Sequence, residues 1–231
     1  MLRQQSRSTA NNVPAVTLLK DAYVAAQLSG DRREAMRLVM DDGLARGVPV
    51  PALYLEVVAS AQRDIGVMWQ ENRISIADEH LATAISQLVI AQLYTRLPRR
   101  RAAGKRVLIA CVPDELHELG ARITADFFEM DGFEVRYLGA SVPAESLADM
   151  AAAYRPHVVG LSVSMSFHVD QARACVAALR EALGDAFLLA VGGRAFEWSP
   201  GLVSQFGAEI YGPDVRACVS SARQLLLQQA S

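Results

Sequence analysis

RVLIACVPDELHELG, residues 106–120, begins as an unbroken apolar run and ends in a cluster of charge. A strand that is apolar at successive positions, rather than at every second one, is covered on both faces, which is the habit of an inner strand in a parallel sheet. Such a strand delivers its last residues to the carboxyl edge of the sheet, where ligands bind. One of the chain's 4 histidines, His117, stands there between acidic residues. It is a ligand candidate before any motif is invoked, and Glu115, two residues earlier, is placed to orient its ring.

Downstream the same texture recurs. The β-rich runs EVRYLG (134–139), HVVGLSVS (157–164), FLLAVGG (187–193) and AEIYG (208–212) are separated by helical stretches such as GARITADFFEMDG, PAESLADMAAAY and HVDQARACVAALREALG. Five apolar strands joined by helices predict a flavodoxin-like, Rossmann-like α/β domain over 106–231, its five-stranded parallel sheet covered on both faces. The edge loops would bring together Glu115, His117 and Gly120, then Gly139 and Ser141, then Ser162, Ser164 and Ser166, then Gly192 and Gly193, then Tyr211 and Gly212. Glu118 reads as solvent-exposed and His157 as a surface residue at the opposite end of its strand. His168 reads as the cap of the following helix.

Upstream, from Val13 to Leu97, only helical patterns appear. AVTLLKDAYVAAQLSG stops at Gly30, a plausible C-terminal cap. DRREAMRLVMDDGLARG has an acidic start and a glycine end, and PALYLEVVASAQRDIGVMWQE is opened by Pro51. In SIADEHLATAISQLVIAQLY, Ser75 and Asp78 form a capping-box-like pair ahead of a long apolar stripe. Four amphipathic helices predict a four-helix bundle over 13–97, behind a disordered tail at 1–12. The Pro-, Gly- and Arg-rich segment 98–105 reads as a solvated linker in preference to a phosphate-binding arm.

With 23 Lys and Arg against 25 Asp and Glu, a net charge of −2 argues against a general electrostatic grip on nucleic acid. No apolar run approaches the ~18 residues of a membrane span, and the polar start MLRQQSRSTANN lacks a secretory signal's hydrophobic segment. The expectation is a cytoplasmic protein with no membrane and no direct nucleic-acid partner. Cys111, Cys175 and Cys218 are scattered in apolar contexts, without the close pairs of a zinc site, and read as core thiols.

Chemistry follows by elimination. The G-x-G-x-x-G dinucleotide fingerprint and the G-x-x-x-x-G-K-[ST] phosphate loop are both absent after the first strand. LSVSMS has no nucleophile-elbow glycines, so a serine hydrolase is disfavoured. A metal centre suits an imidazole with a nearby carboxylate, but zinc takes three or four protein ligands and only His117, besides His168, is at hand. A metal already held by a macrocycle needs one.

Glu115-x-His117-x-x-Gly120, with Ser162-x-Ser164 and Gly192-Gly193 further on, resembles the signature of the cobalamin-binding Rossmann-like family. The resemblance implies a base-off cobalamin with His117 on cobalt. Gly120, Ser162 and Ser164 would make room for the dimethylbenzimidazole tail, and Gly192 and Gly193 would pass close to it. The family more often has Asp at the position of Glu115 and Leu at that of Ser164. In the helical half, Trp69, Glu79 and His80 resemble the W-x9-E-H cap of adenosylcobalamin photoreceptors and corrinoid methyl carriers, which lies over the upper corrin face.

Three functions are compatible with that resemblance. One is a light sensor, not itself an enzyme, in which photolysis of the upper ligand of adenosylcobalamin re-packs the cap and alters a homo-oligomer or the hold on a signalling partner. The short segment before the first helix leaves no expectation of a DNA-binding domain, and Gln70 stands where some photoreceptors have a second cobalt-capturing histidine. Photocobilins resemble this layout and add a bilin such as biliverdin. The second function is a corrinoid methyl carrier of a methyltransferase system, although carriers typically continue their motif with Lys-Asn where this chain has Ala121-Arg122. The third is a cobalamin-free interaction protein or a haem-binding relative on the same scaffold.

Overall fold

The computed structural model describes residues 12–229, and the chain divides into two compact units at Pro98 and Arg99. Residues 1–11, most of the expected tail, lie outside the described residues; Asn12 already belongs to α1 (Asn12–Leu28).

The first unit is helical. α1 ends where Gly30 turns left-handed at φ 73°, and the Asp31 N–H reaches back to the Ala26 carbonyl at 2.9 Å, satisfying a carbonyl the helix end would orphan. α2 (Arg32–Arg37) starts behind Asp31, whose carboxylate accepts the Glu34 N–H, and runs on as a π-helical turn, Leu38–Gly43. α3 opens at Val50–Ala52 with Pro51 in its first turn, passes through a second π-helical turn, Leu53–Ala59, and continues as Ser60–Gln70. α4 (Ile76–Leu93) has the reciprocal capping box of Ser75 and Asp78 and closes in a 3-10 turn, Tyr94–Arg96. Apolar periodicity cannot distinguish i→i+5 from i→i+4 turns, because Leu53, Tyr54, Val57 and Val58, all buried, fit either. The two π turns pack closely: a Cβ on Gly43 would lie 2.8 Å from Leu53 Cδ2. A buried polar knot fastens α1 to α4. Tyr23 Oη lies 2.9 Å from Ser86 Oγ, and Gln27 Nε2 donates to the Ala82 carbonyl at 2.8 Å and to Ser86 Oγ at 2.9 Å.

The second unit is a parallel sheet in the order β2-β1-β3-β4, from β1 (Arg106–Cys111), β2 (Glu134–Tyr137), β3 (Val158–Ser162) and β4 (Leu188–Gly192). The intervening helices are α5 (Leu119–Met130), α6 (Ala144–Tyr154) and α7 (Val169–Leu183), followed by the short α8 (Arg194–Trp198) and α9 (Gly201–Gln205) and the terminal α10 (Val215–Gln228). Leu108, Ala110, Val159, Leu161, Leu189 and Val191 point into one core with Leu147 and Tyr154 of α6 and Cys175 and Leu179 of α7; α5 and α10 pack together elsewhere in the unit.

The sheet has four strands among the described residues, not the five expected. The AEIYG segment contributes a single bridge, Ile210 to Ala190. The Glu209 side chain takes the Leu189 N–H at 2.7 Å, a donor that a neighbouring strand's carbonyl would otherwise use, and Pro213, which has no N–H, follows before Asp214 caps α10. The segment before β1 is anchored rather than loose. Its Arg100 and Ala103 N–H groups donate to the Met130 and Gly132 carbonyls, and Arg100 pairs with Asp131 at 2.7 Å. Cys111 and Cys175 are buried free thiols, and Cys218 is a half-buried one. No helix among the described residues is long and apolar enough to cross a membrane.

Candidate functional site

The strand order places the switch point between β1 and β3, from which successive connections leave in opposite directions. Ligands in open parallel sheets bind at such a point, beyond the carboxyl ends of the strands. Register sets Cys111, Ser162 and Gly192 side by side in the last row of β1, β3 and β4.

Above that row the chain makes one buried charge. Glu115 is 0% exposed. Its Oε1 accepts the His117 backbone N–H at 2.9 Å and lies 2.6 Å from His117 Nδ1. Its Oε2 accepts the Ser164 N–H at 2.7 Å and the Met165 N–H at 3.0 Å, and lies 3.2 Å from His168 Nδ1. Burial pushes this carboxyl up, but the His117 ring and the backbone donors of His117, Met165 and Ser164 outweigh it and bring the pKa down to about 2. An ionised carboxylate has no proton to give, so Nδ1 of both rings carries the hydrogen. In a neutral His117 the lone pair is therefore on Nε2, on a side chain that is 57% exposed. An imidazole so held is a competent metal ligand, its basicity raised by the carboxylate behind it.

The loops around it are strained into place. Asp114 and Ser141 are left-handed at φ 65° and 50°, a conformation that costs any residue with a Cβ. Ser141 Oγ accepts the Asp114 N–H, and the Ser141 N–H donates to the Glu115 carbonyl, both at 3.0 Å. Gly193, at φ 102°, could carry no side chain, for a Cβ there would lie 2.2 Å from the Val163 carbonyl oxygen. Gly120 and Gly192 differ: a Cβ on either meets no atom within 4 Å, which leaves open space at the sheet edge. Ser162 is buried beside the Cys111 thiol, which burial above all pushes up to about 12.

Two assignments need correction. His168 does stand at the N-cap position of α7, but its side chain makes no cap bond; it is 7% exposed and faces Glu115 instead. Glu118 is half-buried, because Tyr137 of the neighbouring strand donates its hydroxyl to Glu118 Oε2 at 2.9 Å. The Ser164 contribution is its backbone N–H. Backbone donors leave no mark in a sequence, and although the sequence puts His168 near the same edge, its contact with Glu115 becomes visible only once β1 and β3 are known to be neighbours.

In the helical unit, Trp69 lies on the last turn of α3, 38% exposed, and Glu79 and His80 lie on the first turn of α4. Glu79 Oε2 is 2.7 Å from His80 Nδ1, and Glu79 Oε1 accepts the Thr83 hydroxyl at 2.9 Å. Thr83 in turn accepts from Gln62 Nε2 of α3 at 3.0 Å, so the α4 start is tied back to the helix that carries Trp69. The His80 side chain is 72% exposed.

Among the described residues no group of three or more His, Cys, Asp and Glu is arranged to hold a metal ion unaided. The donor set instead fits a metal that brings its own equatorial ligands: one braced imidazole, with open space at Gly120 and Gly192 on the same edge. Comparison with known proteins agrees. Residues 105–219 match a family model described as the B12 binding domain, and residues 19–94 match a second model of the same description. The chain belongs to the B12-binding families and is a cobalamin-binding protein made of two such domains.

Over 158 residues it is 35% identical to the HTH-type transcriptional repressor CarH of Myxococcus xanthus, an alignment covering 68% of this chain and 52% of the repressor. The chain thus spans about half the length of that curated relative. It is 22% identical over 214 residues to dimethylamine corrinoid protein 1 of Methanosarcina acetivorans, covering 91% of this chain and 93% of that one. The monomethylamine corrinoid protein of Methanosarcina barkeri has the same fold, with a TM-score of 0.78 at 18% identity over 94% of this chain and 99% of that one.

Proposed function

We propose that the protein is a cobalamin-based light sensor: His117 binds cobalt from the sheet edge, Glu115 orients it, and Gly120, Ser162, Ser164, Gly192 and Gly193 accommodate the tail of a base-off cofactor. Trp69, Glu79 and His80 address the upper ligand, which we take to be adenosyl. The cofactor supplies a cobalt–carbon bond that light can break. The chain's part is to hold the metal from below and to change state when the group above is lost, which requires contacts that differ between the two ligand states. The observation that carries this reading is the braced His117 at the switch point, supported by the 35% identity to the CarH repressor. The output is a change in self-association or in the hold on a signalling partner, in the cytoplasm and without direct contact to nucleic acid.

A second reading, a corrinoid protein that carries methyl groups for a methyltransferase system, is favoured by the end-to-end match to the methylamine corrinoid proteins. One experiment separates the two. Purified chain is reconstituted with adenosylcobalamin, illuminated with green light, and followed by absorption spectrum and by size in dark and light. The methylcobalamin-loaded chain is assayed for methyl transfer to a thiol. An irreversible spectral change with a light-dependent size and no turnover supports the sensor; constant size with rapid demethylation supports the carrier. His117→Ala should abolish the His-coordinated spectrum, and a wild-type spectrum in that variant would overturn the ligand assignment. Biliverdin added to the same preparation would reveal a second chromophore site as a new long-wavelength band.

A further inference from the structure

We propose that Thr83, with Gln62 behind it, is a positioning residue that holds the Glu79 carboxylate ready for an upper ligand bringing hydrogen-bond donors, and so sets a preference for adenosyl over methyl. The proposal rests on the reading of Trp69, Glu79 and His80 as the residues that address the upper ligand. Both oxygens of Glu79 are fixed within the helical unit: Oε1 accepts the Thr83 hydroxyl at 2.9 Å, and Oε2 lies 2.7 Å from His80 Nδ1. A carboxylate oxygen can accept twice, so each retains a position for a donor from outside. The ribose of an adenosyl group supplies hydroxyls, whereas a methyl group supplies none. A site built to meet a hydroxyl discriminates strongly against an analogue that lacks it.

The bonds behind Glu79 have a fixed direction. Thr83 has one hydrogen and spends it on Glu79, so toward Gln62 its oxygen can only accept, and Gln62 Nε2 donates to it at 3.0 Å. That orientation leaves the other end of the amide unmet: Gln62 Oε1 is buried and finds no donor among the described residues. An orphaned buried acceptor is unfavourable. Turning the amide would give no relief at this point, because Oε1 would then face an oxygen whose hydrogen is already committed. The claim of Glu79 on the hydroxyl is thus felt one helix away, on α3. Gln62 and Trp69 lie seven residues apart on α3, about two turns, so the chain of bonds ends on the face of the helix that carries Trp69.

The test compares the full chain, in the dark, with Thr83→Val, Thr83→Ser, Gln62→Met and Glu79→Ala. Dissociation constants for adenosylcobalamin and methylcobalamin define the preference. Thr83→Val should lower it about fivefold, the net worth of one hydrogen bond, with methylcobalamin bound as in wild type, and Thr83→Ser should keep it. Gln62→Met cuts the same chain from the α3 side and removes the orphaned oxygen; it should melt no lower than wild type yet give up part of the preference. In cofactor-free, 15N-labelled protein, the bonded Gln62 Nε2 proton should resonate downfield of its geminal partner in wild type and Thr83→Ser. That offset should be lost in Thr83→Val and also in Glu79→Ala, although it is Thr83 that Gln62 bonds. Equal weakening of both cobalamins by Thr83→Val, or a Gln62 resonance unmoved by Glu79→Ala, would overturn the proposal. Should Thr83→Val not fold, an unaltered preference in Gln62→Met would do the same. A wild type that binds both cobalamins equally would instead sink the adenosyl reading itself, and the preference proposed here with it, so the wild type tells the two failures apart.

Discussion

His157 is held as a base. Its Nδ1 accepts the Arg106 N–H at 3.0 Å, while its own N–H donates to the Arg106 carbonyl and its carbonyl accepts from Leu188, so it splices the amino ends of β1, β3 and β4. Burial first, and then the positive charges of Lys105 and Arg106, lower its pKa from the ordinary 6.5. A base whose folded pKa is depressed contributes stability that is complete above the unfolded value and is lost as pH falls through the folded one. We therefore expect the wild type to lose denaturant resistance below about pH 6.5 relative to His157→Gln, whose amide cannot titrate; parallel curves from pH 8 to 5 would contradict this. At the same scale, the pairing of Glu115 with His117 was legible because the two residues are neighbours in one loop. Its other half was not, since it consists of backbone donors and a histidine from another strand's loop. Glu118 was misjudged for a similar reason, its partner Tyr137 lying one strand away.

The elements were legible where a local signal sets them and illegible where competition does. Gly30, Pro51 and the Ser75–Asp78 box mark helix ends through chemistry confined to a few residues, and the structure uses all three. The fifth strand failed because a side chain, Glu209, outcompeted a backbone partner for Leu189, which no propensity records. Gly193 lies between these cases: the Gly pair was conspicuous, but only the structure shows that the second glycine is the obligatory one. Gly193→Ala should cost more than about 1 kcal/mol, since both φ and the Val163 carbonyl exclude a methyl group, whereas Gly192→Ala should be far milder. Thermal melts of the two variants, run side by side, check the difference.

At the scale of the molecule, the change from helical periodicity to alternating strands and helices was readable in the sequence, whereas the anchoring of the segment between them was not. Asp131, at the end of α5, pairs with Arg100 at 2.7 Å and with Arg223 of α10 at 2.5 Å, and its carbonyl accepts a further bond from Arg223. Asp131→Asn should weaken that hold by about 1 kcal/mol, discounted for the exposure of both arginines. Trypsin should then cut after Arg99, Arg100 or Arg101 roughly fivefold faster than in wild type, and unchanged digestion would argue that the backbone bonds alone suffice. The Glu115 bridge has a consequence of another kind. A chain emerging from the ribosome exposes His117 well before Ser164, Met165 and His168 exist to steady the acid behind it, so a nascent protein cannot hold this imidazole in its finished setting until the third strand has been made and zipped onto the first. The fixing of that ring is in this way deferred, by the geometry of a single side chain, until the loop after the third strand has been made.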